Sequence, residues 1–234
     1  NDGGEIISDA SVHLSSGGTI HNLGSDDNAF IQGLGTVDIH ADGRFINDAD
    51  LISNAELTIG SKAFNNNDSG NIVSFDRFNL RIRSSFTNDG FIRSDDNFDL
   101  RQFDNGSFES FINSGSINVG AGLRVHANDI LNSKTLNASN DITLISARND
   151  VVNTGLIDSD TGITIAGSAG LNNVNGTLST GGSLSITLDG ELDNTDGVIV
   201  SDSDSVTNVI DVAGSLTNTR GTISTGAGLT INTD

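Results

Sequence analysis

The sequence predicts an all-β protein, a right-handed parallel β-helix of about ten coils with roughly 19–25 residues per coil. Three observations predict it: an asparagine repeat, glycine-bearing turns, and short runs in which apolar and polar residues alternate. Ten asparagines follow an apolar residue two positions earlier, at intervals of 25, 19, 22, 25, 19, 21, 20, 21 and 24 residues. Such a period is typical of one coil of a β-solenoid. The anchor asparagines are Asn22, Asn47, Asn66, Asn88, Asn113, Asn132, Asn153, Asn173, Asn194 and Asn218.

The coil that begins at Leu171 illustrates how each element is predicted. Leu171 and Asn173 are two residues apart and therefore lie on one face of a strand. After a turn at Gly176, Leu178 points to the same side, and residues 184–188 alternate strictly between apolar and polar. Coils of this kind stack in parallel about 4.8 Å apart. The right-handed crossover is the strong default for parallel strands.

We expect the anchor asparagines to point inward and to form a ladder. An inward amide at the same corner of every coil donates to the amide on one side and accepts from the amide on the other. This pairing makes a buried polar side chain tolerable. The alternative is that they are exposed turn residues, for which asparagine is also favoured. The predicted ladder comprises Asn47, Asn66, Asn88, Asn113, Asn132, Asn153, Asn173, Asn194 and Asn218.

We expect one continuous solenoid with two parts of different character, cut from a longer protein. All eleven phenylalanines lie between Phe30 and Phe111, and we expect them to fill the core. For residues 1–149 we predict irregular, phenylalanine-containing coils with longer loops at residues 24–28 and 104–107. For residues 150–234 we predict regular coils with aliphatic residues before the anchor asparagine.

Composition argues against several partners and chemistries. The net charge is −20, from 31 acidic and 11 basic residues, which disfavours nucleic acid and anionic membranes. No apolar run approaches the roughly 18 residues of a membrane span, so we expect no membrane insertion. Cysteine is absent and the four histidines are scattered, so we expect no cofactor and no metal site. No catalytic motif is evident, and we expect a protein that is not an enzyme.

A cluster of basic residues supplies the candidate binding site. Counted from the anchor asparagines, with a two-residue insertion after Asn66, outward positions of neighbouring coils coincide in two columns. Like charges stacked about 5 Å apart repel, and Asp99 is placed to pair with Arg124. An anionic or carbohydrate ligand is one interpretation, and a solvated charge ladder that discourages aggregation is the other. The candidate residues are Arg81, Arg101 and His126 in one column, and Asp99 and Arg124 beside Asn79 in the next.

Two stretches of the chain carry a family resemblance. They read Gly170-Leu-Asn-Asn-Val-Asn-Gly-Thr-Leu-Ser-Thr-Gly-Gly-Ser-Leu-Ser-Ile186 and Gly214-Ser-Leu-Thr-Asn-Thr-Arg-Gly-Thr-Ile-Ser-Thr-Gly-Ala-Gly-Leu-Thr-Ile231. Both resemble the repeats of filamentous haemagglutinins, the two-partner-secreted exoproteins of Gram-negative bacteria. The resemblance is specific across residues 150–234 and looser across 20–149. It implies a β-helical fibre at the outer cell surface, exported through an outer-membrane partner, and it carries over no catalytic residue.

Three functions are consistent with the sequence. The first is an adhesive fibre segment that binds a cell-surface receptor or carbohydrate. The second is an inert, rigid stalk of a contact-dependent-inhibition exoprotein that delivers a toxin. The third and least favoured is a polysaccharide-active β-helix enzyme, for which the sequence shows no aromatic subsite because Trp and Tyr are absent. Exposed strand edges at the ends of a solenoid leave end-to-end and lateral self-association open.

Overall fold

The computed structural model describes residues 4–24, 29–103 and 106–234, and these residues form a parallel β-solenoid, as predicted. They contain 29 strands and no helix. One sheet stacks eleven strands, so the solenoid has eleven coils, one more than the ten anchors suggest. A strand of this sheet precedes Asn22 and another follows Asn218, which accounts for the difference. Residues 25–28 and 104–105, in the two expected loops, lie outside the described residues.

The strands are short, mostly of two to six residues, because a turn interrupts each coil two or three times. In chain order they are β1 (Glu5–Ser8), β2 (Val12–Ser16), β3 (Ile20–Asn22), β4 (Phe30–Gly33), β5 (Val37–Asn47), β6 (Asp50–Ser53), β7 (Leu57–Asn66), β8 (Asn71–Ser74), β9 (Phe78–Ile82), β10 (Ser85–Asn88), β11 (Phe91–Ser94), β12 (Phe98–Gln102), β13 (Phe108–Asn113), β14 (Ser116–Val119), β15 (Leu123–Asn132), β16 (Thr135–Ala138), β17 (Ile142–Ser146), β18 (Val151–Asn153), β19 (Leu156–Ser159), β20 (Gly162–Gly167), β21 (Leu171–Asn172), β22 (Thr177–Thr180), β23 (Ser183–Leu188), β24 (Leu192–Asp193), β25 (Val198–Ser201), β26 (Asn208–Val212), β27 (Leu216–Thr217), β28 (Thr222–Thr225) and β29 (Leu229–Thr233).

The strands form three parallel stacks, which we call faces 1, 2 and 3. Face 1 is the eleven-stranded sheet, in the order β1-β4-β6-β8-β11-β14-β16-β19-β22-β25-β28. Face 2 runs β2-β5-β7-β9-β12-β15-β17-β20-β23-β26-β29. Face 3 runs β3-β5-β7-β10-β13-β15-β18-β21-β24-β27. Each of its strands has an anchor asparagine at its last residue or directly after it. Faces 2 and 3 join into one sheet because β5, β7 and β15 belong to both.

Stacked apolar side chains fill the inside of the solenoid. Along most strands, buried residues alternate with half-buried or exposed ones, so one side of every face lines the core. In-register pairing places identical aromatic rings above one another, and Phe78 and Phe98 stack with centroids 4.5 Å apart. A second column, on face 3, has centroids 4.8–5.8 Å apart and comprises Phe45, Phe64, Phe86 and Phe111. Each such pair contributes roughly 0.5–1.5 kcal/mol beyond the burial of its area.

The expectation that every phenylalanine fills the core is wrong for four of the eleven. Two occupy outward positions of face 1 strands, and two lie in the turns that follow a strand. The guanidinium groups of Arg93 and Arg83 lie over the two turn rings, at 5.8 Å and 4.9 Å from the centroids. A phenylalanine beside a cation is stable at a half-exposed site. The four are Phe30, Phe75, Phe91 and Phe103.

The anchor asparagines form the predicted ladder. Nine consecutive hydrogen bonds of 2.7–2.9 Å join Asn22 to Asn218, each from the Nδ2 of one amide to the Oδ1 of the next. The same Nδ2 groups also donate to backbone carbonyls, as that of Asn153 does to Thr177 at 3.1 Å. Every anchor from Asn22 to Asn194 is fully buried, whereas Asn218 is exposed. The ladder therefore satisfies a row of buried polar groups along the whole rod.

The turn after the anchor is tight in the last three coils. Asn175, Asp196 and Arg220 adopt φ values of 59°, 55° and 55°, in the left-handed region. Each is followed by a glycine, and a Cβ on Gly176 would meet the carbonyl oxygen of Asn153 at 2.2 Å. Only glycine fits this position, because the backbone passes directly over the ladder.

Candidate ligand-binding groove

Parallel register brings the predicted site residues together on the outer side of face 2. Asn79 of β9 pairs with Asp99 of β12, which pairs with Arg124 of β15. Arg81 pairs with Arg101 in the adjacent column. Both columns are outward, since the intervening Leu80 and Leu100 are buried. Counting from the anchor asparagines correctly predicts these pairs, but the predicted register of His126 with Arg101 is not formed.

A break in the strand pairing opens the surface beside Arg101. Between β12 and β15 the register ends at the pair Asp99 and Arg124, and pairing to β15 resumes with β13 at Phe108 and Ala127. Eight residues separate Asp99 from Phe108 in one coil, whereas only two separate Arg124 from Ala127 in the next coil. His126 lies on β15 opposite this break, so Arg101 and His126 flank a gap instead of pairing.

Two adjoining depressions occupy this part of face 2. One, of about 290 Å³, lies at the break and is lined by Asp99, Arg101, Gly106, Arg124 and His126. The other, of about 230 Å³, is lined by Arg77, Asn79, Arg81, Asp99 and Arg101. They share Asp99 and Arg101 and together form what we call the basic groove. The groove runs along the stack and across neighbouring coils.

The charges in the basic groove are only partly compensated. Asp99 accepts a hydrogen bond from Arg101 of its own strand, with Nη2 to Oδ2 at 3.1 Å. The expected pair of Asp99 with Arg124 is wrong, because the guanidinium two residues along the same outward face reaches the carboxylate instead. Among the described residues, no carboxylate lies within 4 Å of the guanidinium groups of Arg77, Arg81 or Arg124. The groove is therefore a cationic surface on an acidic rod.

Several titratable residues outside the groove form local pairs. Three of the four histidines lie against aspartates in the first coils: His13 with Asp38 at 3.1 Å, His40 with Asp42 at 3.2 Å, and His21 with Asp48. Within the described ranges, no group of three or more His, Cys, Asp or Glu residues has the arrangement of a metal site.

One ion pair shifts the pKa values of both of its members. The Arg220 guanidinium donates two hydrogen bonds to Asp196, with Nε to Oδ1 at 2.7 Å and Nη2 to Oδ2 at 2.6 Å. These bonds lower the pKa of Asp196 and raise that of Arg220. Both residues belong to the left-handed turns of the last coils and lie outside the basic groove.

A second polar row, of serines, was not predicted. Ser53, Ser74, Ser94, Ser159 and Ser201 end face 1 strands and are buried. The Oγ of Ser74 lies 3.1 Å from the backbone carbonyl oxygens of both Ala55 and Arg77, so its single O–H is shared between two coils. The signal was present in the sequence, because each of these serines follows an Ile or Leu two positions earlier.

The fold defines a class: a repetitive, structural β-solenoid, here with a cationic depression on one face. The chain belongs to the haemagglutinin repeat family, whose model matches residues 1–24, 25–102, 110–196, 164–220 and 205–234. No curated protein and no solved structure matches the chain. The described residues include no helix with the length and apolar character needed to cross a membrane. This family is typical of adhesin-type segments of filamentous exoproteins.

Proposed function

We propose that this chain is an adhesive segment of a secreted bacterial surface fibre and that its basic groove binds an anionic carbohydrate. One observation carries the proposal. Arg81 and Arg124 lie two coils apart, and each lines one of the two adjoining depressions without a carboxylate partner among the described residues, on a chain of net charge −20. Unpaired cations on an acidic surface are selectively attractive to an anion, because the rest of the rod repels it.

The geometry of the groove favours an extended ligand over a small ion. The arginines come from three successive coils, which parallel stacking places about 4.8 Å apart. A chain of acidic sugars laid along the stack meets a guanidinium at more than one coil. Guanidinium groups bind carboxylate oxygens through paired hydrogen bonds. The polar remainder of the lining, Asn79 and His126, offers hydrogen bonds to sugar hydroxyls.

The test is binding of the purified 234-residue chain to extracted acidic polysaccharide and to whole cells. The Arg81→Ala/Arg101→Ala variant removes two cations from the groove. At about 1.5 kcal/mol or more for each hydrogen bond to a charged group, the loss is at least about 100-fold in Kd. Binding by the unaltered chain should also weaken as salt is raised from 50 to 500 mM, because exposed charges are screened.

The matched control removes two cations elsewhere. Arg44 and Lys134 are exposed, lie on other parts of the solenoid, and have no ion pair among the described residues. Arg44→Ala/Lys134→Ala makes the same change in net charge and should bind within about twofold of the unaltered chain. Equal losses in both double variants would mean that net charge, and not the groove, controls binding.

A rigid stalk is the second candidate, and the unbroken ladder supports it. Nine consecutive amide hydrogen bonds and continuous pairing along face 1 resist bending. In this case the segment determines how far a toxin-delivery exoprotein extends. Complete absence of binding to cells and polysaccharide, by the unaltered chain as well as the variants, would favour the stalk. Release of new reducing sugar ends would instead indicate an enzyme.

The two parts of the solenoid would have different roles. Residues 1–149, which hold the stacked phenylalanines and the groove, would bind, and residues 150–234 would serve as regular shaft. Secretion through an outer-membrane partner and residence at the outer cell surface belong to the same proposal. They are supported by the family and by the absence of cysteine, which suits a chain exported unfolded.

A further inference from the structure

A polar depression separate from the basic groove lies on the outer side of face 1. Its volume is about 310 Å³, at the small end of ligand pockets in proteins. Arg93 and Asp95 line it on one side, and Asn118 and Asn137 come from the next two coils. It belongs to a different sheet from the basic groove and shares no lining residue with it.

Strand register builds the floor of this depression. Arg93 of β11 pairs with Asn118 of β14, which pairs with Asn137 of β16, which pairs with Asp158 of β19. The buried Ile92 and Ile117 precede Arg93 and Asn118, so the row faces outward. Four consecutive polar side chains thus lie about 4.8 Å apart along the stack.

A glycine lines the depression beside Asn118. Gly120 follows β14 in the turn position that Phe75 and Asp95 occupy in the two preceding coils, as the shared backbone hydrogen bonds show. A Cβ on Gly120 would meet the carbonyl oxygen of Asp95 at 2.2 Å, so no larger residue fits. Gly120 therefore adds no side chain to the lining.

An exposed aromatic ring lies one coil beyond the lining of the depression, at the position that Asp95 occupies in the next coil. Phe75 is 50% exposed, and the Arg93 guanidinium lies 5.8 Å from its ring centroid. Arg93 also donates from Nε to Oδ1 of Asp95 at 2.7 Å. These contacts hold the three side chains in place before any ligand arrives, which lowers the entropic cost of binding. They also balance the charge of Arg93.

The free hydrogen-bonding groups are amides. The Asn118 side chain has no hydrogen-bond partner among the described residues, so its two N–H donors and its carbonyl are available. The Asn137 amide donates to Asp158 at 3.3 Å, which leaves its carbonyl oxygen to accept. The site therefore presents donors and acceptors side by side with no uncompensated cation.

We infer that this depression binds a neutral saccharide. Sugar hydroxyls both donate and accept, which matches paired amides and a carboxylate. The apolar C–H face of a sugar ring packs against an aromatic ring, and the exposed Phe75 provides one. An anionic ligand is disfavoured, because Asp95 and Asp158 stand at the site and Arg93 is already paired. The inference does not depend on the proposed function of the basic groove.

The test is an NMR titration of the uniformly ¹⁵N-labelled 234-residue chain with three neutral tetrasaccharides: cellotetraose, mannotetraose and chitotetraose. At least one should shift the amide resonances of Asn118 and Asn137 and their neighbours. The Asn118→Ala/Asn137→Ala variant should bind that sugar at least tenfold more weakly. Phe75→Ala should weaken binding severalfold, and Phe75→Trp should restore it, because the aromatic face is retained.

Two control variants separate this site from the rest of the molecule. Asn65→Ala/Asn232→Ala removes two outward amides from other strands and should bind normally. Arg81→Ala/Arg101→Ala alters the basic groove and should also bind normally, whether or not the groove binds acidic sugars. The inference is overturned if no tetrasaccharide shifts the Asn118 region at millimolar concentration. It is equally overturned if the Asn118→Ala/Asn137→Ala variant, with an unchanged circular dichroism spectrum, binds as tightly as the unaltered chain.

Discussion

Replacing Asn153 by alanine tests the amide ladder at its middle. The Asn153 side chain accepts a hydrogen bond from Asn132 at 2.8 Å and donates to Asn173 at 2.8 Å and to the carbonyl of Thr177 at 3.1 Å. Three hydrogen bonds at about 1 kcal/mol each give about 3 kcal/mol. The Oδ1 of Asn173 then loses its donor inside the core, which adds about 1–2 kcal/mol. We expect Asn153→Ala to lower the free energy of unfolding by about 4 kcal/mol.

Urea unfolding followed by circular dichroism measures this loss. With a slope near 3 kcal/mol per molar urea, a loss of about 4 kcal/mol lowers the midpoint by roughly 1.3 M. Stacked repeats do not always unfold in one step, so the midpoint is compared only where circular dichroism and limited proteolysis give the same transition. Hydrogen exchange at the coils that contain Asn132 and Asn173 provides a local measure of the same loss.

Two further variants define what the result means. Asn140 is exposed and its side chain has no hydrogen-bond partner among the described residues, so Asn140→Ala should change stability by less than about 0.5 kcal/mol. Asn218 ends the ladder and accepts one bond from Asn194 at 2.7 Å, so Asn218→Ala should cost about 1 kcal/mol. Losses for Asn153→Ala no larger than those of Asn140→Ala would refute the role of the ladder in stability.

The remaining predictions concern single positions of the core and turns. Ser61 is fully buried and its hydroxyl has no partner among the described residues, so Ser61→Ala should stabilise the chain by about 1 kcal/mol in urea unfolding. Gly176→Ala should destabilise it by several times that amount, because the new Cβ meets the carbonyl oxygen of Asn153. Arg220→Gly should raise the unfolding midpoint, since φ of 55° suits glycine and the lost ion pair is exposed. The lowered pKa of Asp196 means that its pair with Arg220 stabilises at neutral pH and is lost as pH falls below 3.8, so this gain should grow in acid. Unfolding midpoints at pH 7 and pH 3 measure it.

The interior of the solenoid was predictable because parallel stacking repeats one chemistry at one place. An apolar residue two positions before each asparagine fixes which way the amide points, and the period fixes what lies above and below it. The same counting placed Arg81 beside Arg101 and Asp99 beside Arg124. Register follows from spacing alone once the coils are known to pair in parallel.

Other features depended on details that spacing does not carry. Asp99 pairs with Arg101 of its own strand and not with its register partner Arg124, and strand register alone does not give this choice of side-chain partner. The break in pairing after Asp99 arises from eight residues standing against two, which becomes visible only when both flanking registers are known. Phe75 and Phe91 were expected inside, since composition does not distinguish a core ring from an outward one. Phe75 lies outside because it occupies a turn, and Phe91 lies outside because it occupies an outward position of its strand.

Parallel stacking acts in opposite senses inside and outside the rod. Inside, a column of identical groups is favourable, because amides bond to amides and rings stack on rings. Outside, a column of identical charges repels itself, so long cationic rows are unstable and acidic rows are solvated. A ligand site is therefore expected where an outer column changes identity from coil to coil. The basic groove meets this condition, as Asn79 is followed by Asp99 and Arg124. The row from Arg93 to Asp158 meets it on face 1, so a repeat with a uniform core can still present individual candidate sites on its surface.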